Sequence, residues 1–169
     1  MTTAYLDTVL IVGLAKSDLA PAELAAMFDL LELQKAGSVG LRTSPLAKEE
    51  LSRHATSGQN VEEAIYMLLE DLPVVEEQFA TAAMLGSLMF GANAGPIVKD
   101  ELLGKLAEIG LQEDDARHVF QAARNDIDYF VTCDERTILR HAALVEAVAP
   151  IKLRLPSQLA AEFATAASS

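Results

Sequence analysis

Four short apolar runs punctuate the chain at wide intervals: TAYL before Asp7, SVGLRT from Ser38, DYFVT from Asp128 and IKLRL from Ile151. Each carries β-branched or aromatic residues and is too short for a stable helix. Longer stretches with apolar residues at helical spacing separate them. Strands alternating with helices predict an α/β fold, a three-layer α/β/α arrangement around a central, mainly parallel sheet of about four to five strands.

The helical stretches differ in character. In APAELAAMFDLLELQKAG, Leu24, Met27, Phe28 and Leu31 fall at helical spacing, Pro21 suits a first turn and Gly37 a C-terminal stop. VEEAIYMLLEDL repeats the pattern with Val61, Ile65, Leu68 and Leu69 on one face. VVEEQFATAAMLGSLMFGA is apolar nearly all round after an acidic first turn, which fits a central core helix or an oligomer contact. KDELLGKLAEIGL and EDDARHVFQAARNDI predict two more helices, the second opening on Glu113, Asp114 and Asp115. GANAGPI lacks the lysine and spacing of a phosphate loop and follows no strand, so it reads as a turn. The pattern predicts one domain over residues 1–162 and a frayed tail over 163–169.

Composition narrows the field of partners. With 25 acidic against 13 basic residues the 169-residue chain carries a formal charge of −12, which on its face repels phosphate backbones. From Arg117 to Arg154, however, Arg117, Arg124, Arg136, Arg140, Lys152 and Arg154 face only five acids, so this part of the fold is expected to be locally basic. The single cysteine, Cys133, excludes an internal disulfide and a multi-cysteine metal site and fits a reducing compartment. The first residues lack a basic n-region and include Asp7, and no apolar run reaches the roughly 18 residues of a membrane span. A cytoplasmic protein without membrane contact is the expectation.

The candidate chemistry lies in the carboxylates. Asp7 follows the first apolar run and Asp134 the third, and in open parallel sheets ligands collect outside the carboxyl ends of the strands. Those positions put both acids at the rim, away from the core. Asp134 also suits the cap of a following helix. Asp115 can reach the same rim from a helix start, or serve with its acidic neighbours only to favour the positive helix end. Ser44 suits the cap of a helix carrying Glu49 and Glu50, either of which can turn inward or lie on an exposed face. Converging carboxylates raise one another's pKa or bind a cation. Oxygen donors without a Cys or His cluster select Mg2+ or Mn2+ over zinc. His54, His118 and His141 are scattered; His118, one turn after Asp115, either flanks such a site or packs half-buried.

YLDTVLIVGLAKSDL, TSPLAKEEL, DARHVFQA, DYFVTCDERTIL and IKLRLPSQL, in this order, resemble a PIN domain, the metal-dependent nuclease fold that includes many toxins of bacterial toxin–antitoxin pairs. The resemblance covers nearly the whole chain. It implies that the family's four acids correspond to Asp7, Glu50, Asp115 and Asp134, with Glu49 and Asp114 as rivals at two positions and Thr132 as the hydroxyl before the last acid. The implied activity is endoribonucleolytic cleavage of RNA by a water activated on a carboxylate-bound Mg2+ or Mn2+. Asp7, Asp115 and Asp134 would hold the ion or ions, and Glu50 would hold a second ion or orient the water. A cognate antitoxin and a homodimer are the implied partners. The alternative is a non-catalytic PIN-like scaffold that uses its acidic rim and the apolar AAMLGSLMF segment for assembly. A Mg2+-dependent phosphatase would need two aspartates spaced two apart after the first strand, and LDTVL offers only Asp7.

Overall fold

The computed structural model describes residues 1–54, 72–76 and 100–167. Its four strands, β1 (Thr2–Leu6), β2 (Val39–Arg42), β3 (Tyr129–Val131) and β4 (Lys152–Arg154), coincide with the four apolar runs. All pair in parallel in the order β2-β1-β3-β4, with Thr2 opposite Val39, Ala4 opposite Tyr129, and Tyr129 opposite Lys152. A parallel neighbour cannot be reached through a hairpin, so helices carry the chain between strands. They are α1 (Thr8–Lys16), α2 (Pro21–Lys35), α3 (Pro45–His54), α4 (Glu101–Ile109), α5 (Glu113–Arg124), α6 (Ala142–Val148) and α7 (Pro156–Ala167).

Period-two alternation sends the strand side chains into two separate cores. Ala4, Leu6, Val39, Leu41 and Val131 pack with Leu10, Ile11, Met27, Leu30 and Leu159 on one face. Tyr5, Phe130 and Leu153 pack with Leu106, Val119, Phe120 and Val145 on the other. The sheet is therefore buried on both sides, as parallel sheets require, and the fold is a three-layer α/β/α sandwich. β1 and β3 are neighbours whose onward connections diverge: α1 and α2 enter the first core and α6 the second. The carboxyl ends of β1 and β3, where they part, form the topological switch point of the sheet, the place where open parallel sheets bind ligands.

Several elements depart from the sequence expectations. α1 was not foreseen, because TVLIVGLAK has no polar face to reveal its period. In α2 the buried residues are Ala26, Met27 and Leu30, while Phe28 is 57 % exposed, so the apolar stripe is rotated from the one its large residues suggest. Gly37 does adopt a left-handed backbone (φ 73°) just beyond that helix. Val74 forms a single parallel bridge to Thr43 at the β2 edge instead of opening a helix. The rest of that expected helix, the helix expected from Val61 and the GANAGPI turn lie outside the described residues. α7 continues through Ala167, where a frayed tail from 163 was expected.

Part of the basic stretch is ion-paired. Arg124 donates to both oxygens of Asp100 (2.6 and 2.7 Å), Arg154 pairs with Glu146 (2.8 Å) and Glu162 (2.7 Å), and Lys152 lies over the Tyr129 ring. Arg117, Arg136 and Arg140 are exposed. Among the described residues no helix is long and apolar enough to cross a membrane.

The rotated face of α2 is directly measurable. Met27→Ala, which empties a fully buried position, is expected to cost about 2–5 kcal/mol in urea denaturation. Phe28→Ala is expected to stay within about 0.5 kcal/mol of wild type. The reverse ranking would show that the helix packs through the Phe28 side.

Candidate functional site

The site grows from the switch point between β1 and β3. Each strand continues one residue further in its ladder: the Asp7 N–H donates to Val131 O (3.0 Å), and the Thr132 N–H donates to Arg154 O (3.1 Å). Asp7 and Thr132 thus stand side by side just past the strand ends. The Thr132 hydroxyl donates to Asp7 Oδ2 at 2.6 Å. Although Asp7 precedes α1, its side chain makes no capping bond and is turned instead toward Thr132.

Asp7 is also buried, at 6 % exposure, which corrects the expectation that a strand-end acid lies clear of the core. Burial raises its pKa, and the nearby Asp115 charge adds to that; the Thr132 hydroxyl and His118 pull the other way. An acid held in this state favours the arrival of positive charge.

Glu50 reaches the same place from α3. Ser44 caps that helix by accepting the Ala47 N–H (3.1 Å), as expected. Glu50 Oε2 then accepts from the Thr8 hydroxyl at 2.8 Å and lies 3.0 Å from His118 Nε2. Glu49 is exposed, so the structure separates the two rivals. At the second ambiguous position, Asp114 is exposed and pairs with Arg117 at 3.9 Å, while Asp115 is part-buried at the start of α5. Burial raises the Asp115 pKa, a hydrogen bond with Thr137 opposes this, and the Asp134 charge reinforces it.

Asp134 behaves differently. Its Oδ1 accepts the N–H groups of Arg136 (2.9 Å) and Thr137 (2.7 Å), and its Oδ2 accepts the Thr137 hydroxyl (2.6 Å). It caps the turn that leads into a short 3-10 helix, Leu139–His141. Burial acts to raise its pKa, but these donors outweigh it and hold the carboxyl below its usual value. The capping role read from the sequence is therefore real, and it coexists with a place in the cluster. The Asp134 N–H donates to Thr132 Oγ1 (3.0 Å), the hydroxyl that serves Asp7, and the Thr137 hydroxyl lies between Asp134 and Asp115.

Four carboxylates from four segments thus share one electrostatic neighbourhood. Their donor set is all oxygen, the chemistry of a hard divalent ion. Among the described residues, however, no three His, Cys, Asp or Glu side chains are arranged to hold a metal together. Mg2+ does not demand such a cage, since it keeps several waters and binds through one or two carboxylates plus substrate phosphate. In kind and number the residues fit that ion.

Sequence reasoning missed the hydroxyls. Thr8, Thr137 and Tyr5 have no diagnostic spacing; a Thr directly after Asp7 and another three residues after Asp134 were the only signals available. His118, expected either to flank the site or to pack half-buried, lies beside Glu50 and is 3 % exposed. Cys133 contributes no nucleophile, because burial, aided by Glu23 and Asp7, pushes its thiol up to about 11.

No protein-family model matches the chain, and no curated protein matches it in sequence.

The buried charge on Asp7 has a thermodynamic signature. Its native pKa lies above the unfolded value, so it destabilises the fold progressively as pH rises from the unfolded pKa through the native one. Asp7→Asn keeps an acceptor for Thr132 and removes the charge. In metal-free buffer at pH 7 its melting temperature is expected to exceed wild type by roughly 2–4 °C, the equivalent of about 1 kcal/mol in a domain of this size. The gap should close as pH falls well below the unfolded pKa of about 3.9, where the wild-type carboxyl is neutral in both states. A lower melting temperature for the variant at pH 7 would contradict the burial cost.

Proposed function

We propose that the protein is a Mg2+- or Mn2+-dependent endoribonuclease of PIN-like design, with Asp7, Glu50, Asp115 and Asp134 as its acidic centre. The observation that supports this reading is the run of neighbouring acids at the switch point, Asp7 near Asp115 and Asp115 near Asp134, with Asp7 buried and turned to Thr132. A purely structural role accounts for Asp134, whereas Asp7 is buried at a cost that its hydrogen bonds to Thr132 and the Thr8 N–H do not offset.

Asp7 and Asp115 would hold the ion, with Asp134 at the edge through the oxygen capacity its turn leaves unused. When bound, such an ion supplies a lowered water pKa and positive charge opposite the scissile phosphate. The chain's own contribution is orientation. Thr132 aims Asp7, Thr8 and His118 hold Glu50, and Glu50 is placed to accept a proton from the attacking water or to bind a second ion. The RNA backbone would draw little on Arg124 and Arg154, which are already paired. Neutralisation at the centre itself therefore has to carry more of the substrate binding. If the protein is a toxin, a cognate antitoxin would act by covering this rim.

A second reading has its own support. Both oxygens of Asp134 already accept hydrogen bonds in its turn, and the described residues form no ready-made three-ligand site, as expected of a PIN-like scaffold that binds partners without cutting.

Two measurements separate them. Mn2+ should raise the melting temperature of the wild type as its concentration passes Kd, and should leave Asp7→Asn unmoved. Asp7→Asn, Glu50→Gln and Asp115→Asn should each lower single-turnover RNA cleavage by at least about 10²-fold, as loss of several kcal/mol of charge stabilisation requires. A wild-type protein that neither shifts with Mn2+ nor cuts RNA would favour the scaffold.

A further inference from the structure

His118, at 3 % exposure, is buried more deeply than Asp7, and its surroundings form a closed ring. Its Nδ1 lies 2.7 Å from the Tyr5 hydroxyl, which lies 2.7 Å from Ser44 Oγ. Ser44 Oγ accepts the Ala47 N–H and so caps α3, the helix that carries Glu50. Glu50 Oε2 closes the ring at 3.0 Å from His118 Nε2. That approach is off the N–H axis, and Nε2 has no aligned hydrogen-bond partner among the described residues.

The Tyr5–Ser44 and Tyr5–His118 contacts admit either group as donor. A proton on Nε2 puts a positive ring edge beside the Glu50 carboxylate in place of a lone pair. In the neutral ring with that proton, Nδ1 accepts the Tyr5 O–H and the Ser44 O–H donates to the Tyr5 oxygen. Each hydroxyl proton is used once. Tyr5 cannot drift, because it is fully buried and stacked on Phe130 with ring centroids 5.2 Å apart. His118 also stands one turn after Asp115 on α5. The ring therefore ties α3, β1 and α5 together at the level of their acids.

We infer that His118 is a positioning residue: kept in its Nε2–H form by Tyr5 and Ser44, it sets the Glu50 carboxylate at a fixed place relative to Asp115. The off-axis contact constrains where the Glu50 head lies while leaving its angle to whatever binds there. The consequence for metal affinity rests on the nuclease reading; the order of the hydrogen bonds does not.

Two experiments on the full chain test it. Long-range 1H–15N spectra of histidine-labelled protein, assigned by comparison with His118→Gln, should show His118 protonated at Nε2 with Nδ1 accepting, and Tyr5→Phe should move the Nδ1 resonance. A wild-type ring protonated at Nδ1 alone would overturn the inference. Mn2+ affinity, read from the free-ion EPR signal, should fall by about 10–100-fold in His118→Leu, the range for a group that orients a metal ligand. His118→Gln, which restores an N–H near the Nε2 position, should recover most of it. A folded His118→Leu that binds Mn2+ like the wild type would also overturn it. If that variant does not fold, Tyr5→Phe, which keeps the ring against Phe130, takes its place, and unchanged affinity counts against the inference in the same way. Should the wild type bind no Mn2+ at all, the nuclease reading falls, and the spectra alone decide the role of His118.

Discussion

The site depends on one side-chain hydrogen bond between neighbouring strands: the Thr132 hydroxyl to Asp7 Oδ2, at 2.6 Å across the β1–β3 switch point. A carboxylate removed from water needs a donor or a cation, or it takes up a proton. Thr132 supplies one donor, which is enough to hold Asp7 in place and too little to cancel the cost of its burial. The remaining cost is what makes the switch point receptive to positive charge.

The same economy of donors runs through the neighbouring groups. Thr132 accepts from the Asp134 N–H while donating to Asp7, so the start of the capped turn and the end of β1 are set by one hydroxyl. Thr137 stands between Asp134 and Asp115 with a single proton to offer. Thr8 and His118 both address one oxygen of Glu50. Thr137 thereby spaces two acids that would otherwise repel one another freely, while Thr132 and Thr8 each hold one carboxylate. The acids are held near one another without being neutralised.

The fold makes this possible through topology alone. With strand order β2-β1-β3-β4, the connections after β1 and β3 leave on opposite faces, which makes the carboxyl ends of these two strands the switch point of the sheet. α3 and α5 then deliver Glu50 and Asp115 from either core, each from within its first two turns. Asp115, in the first turn of α5, also meets the positive end of its own helix. Rigid packing below, with Tyr5 and Phe130 stacked in one core and Leu6 and Val131 buried in the other, keeps the rim from spreading.

The four strands were legible in the sequence because short β-branched or aromatic runs between long helical patterns have few other readings. α1 was not, because a helix apolar all round hides its period, and the buried face of α2 was misread because Phe28 outweighs Ala26 in hydrophobicity but not in position. At the site, the sequence by itself determined the acids and their strand-end or helix-start addresses. It could not choose Glu50 over Glu49 or Asp115 over Asp114, since adjacent residues on a helix differ by about 100° in direction and only packing says which direction is inward. Tertiary structure alone decided that Asp7 is buried and that Tyr5, Ser44 and His118, from positions far apart in the chain, close into one ring with Glu50. Proximity between distant segments follows from how helices dock on a sheet, and no local pattern of residues encodes it.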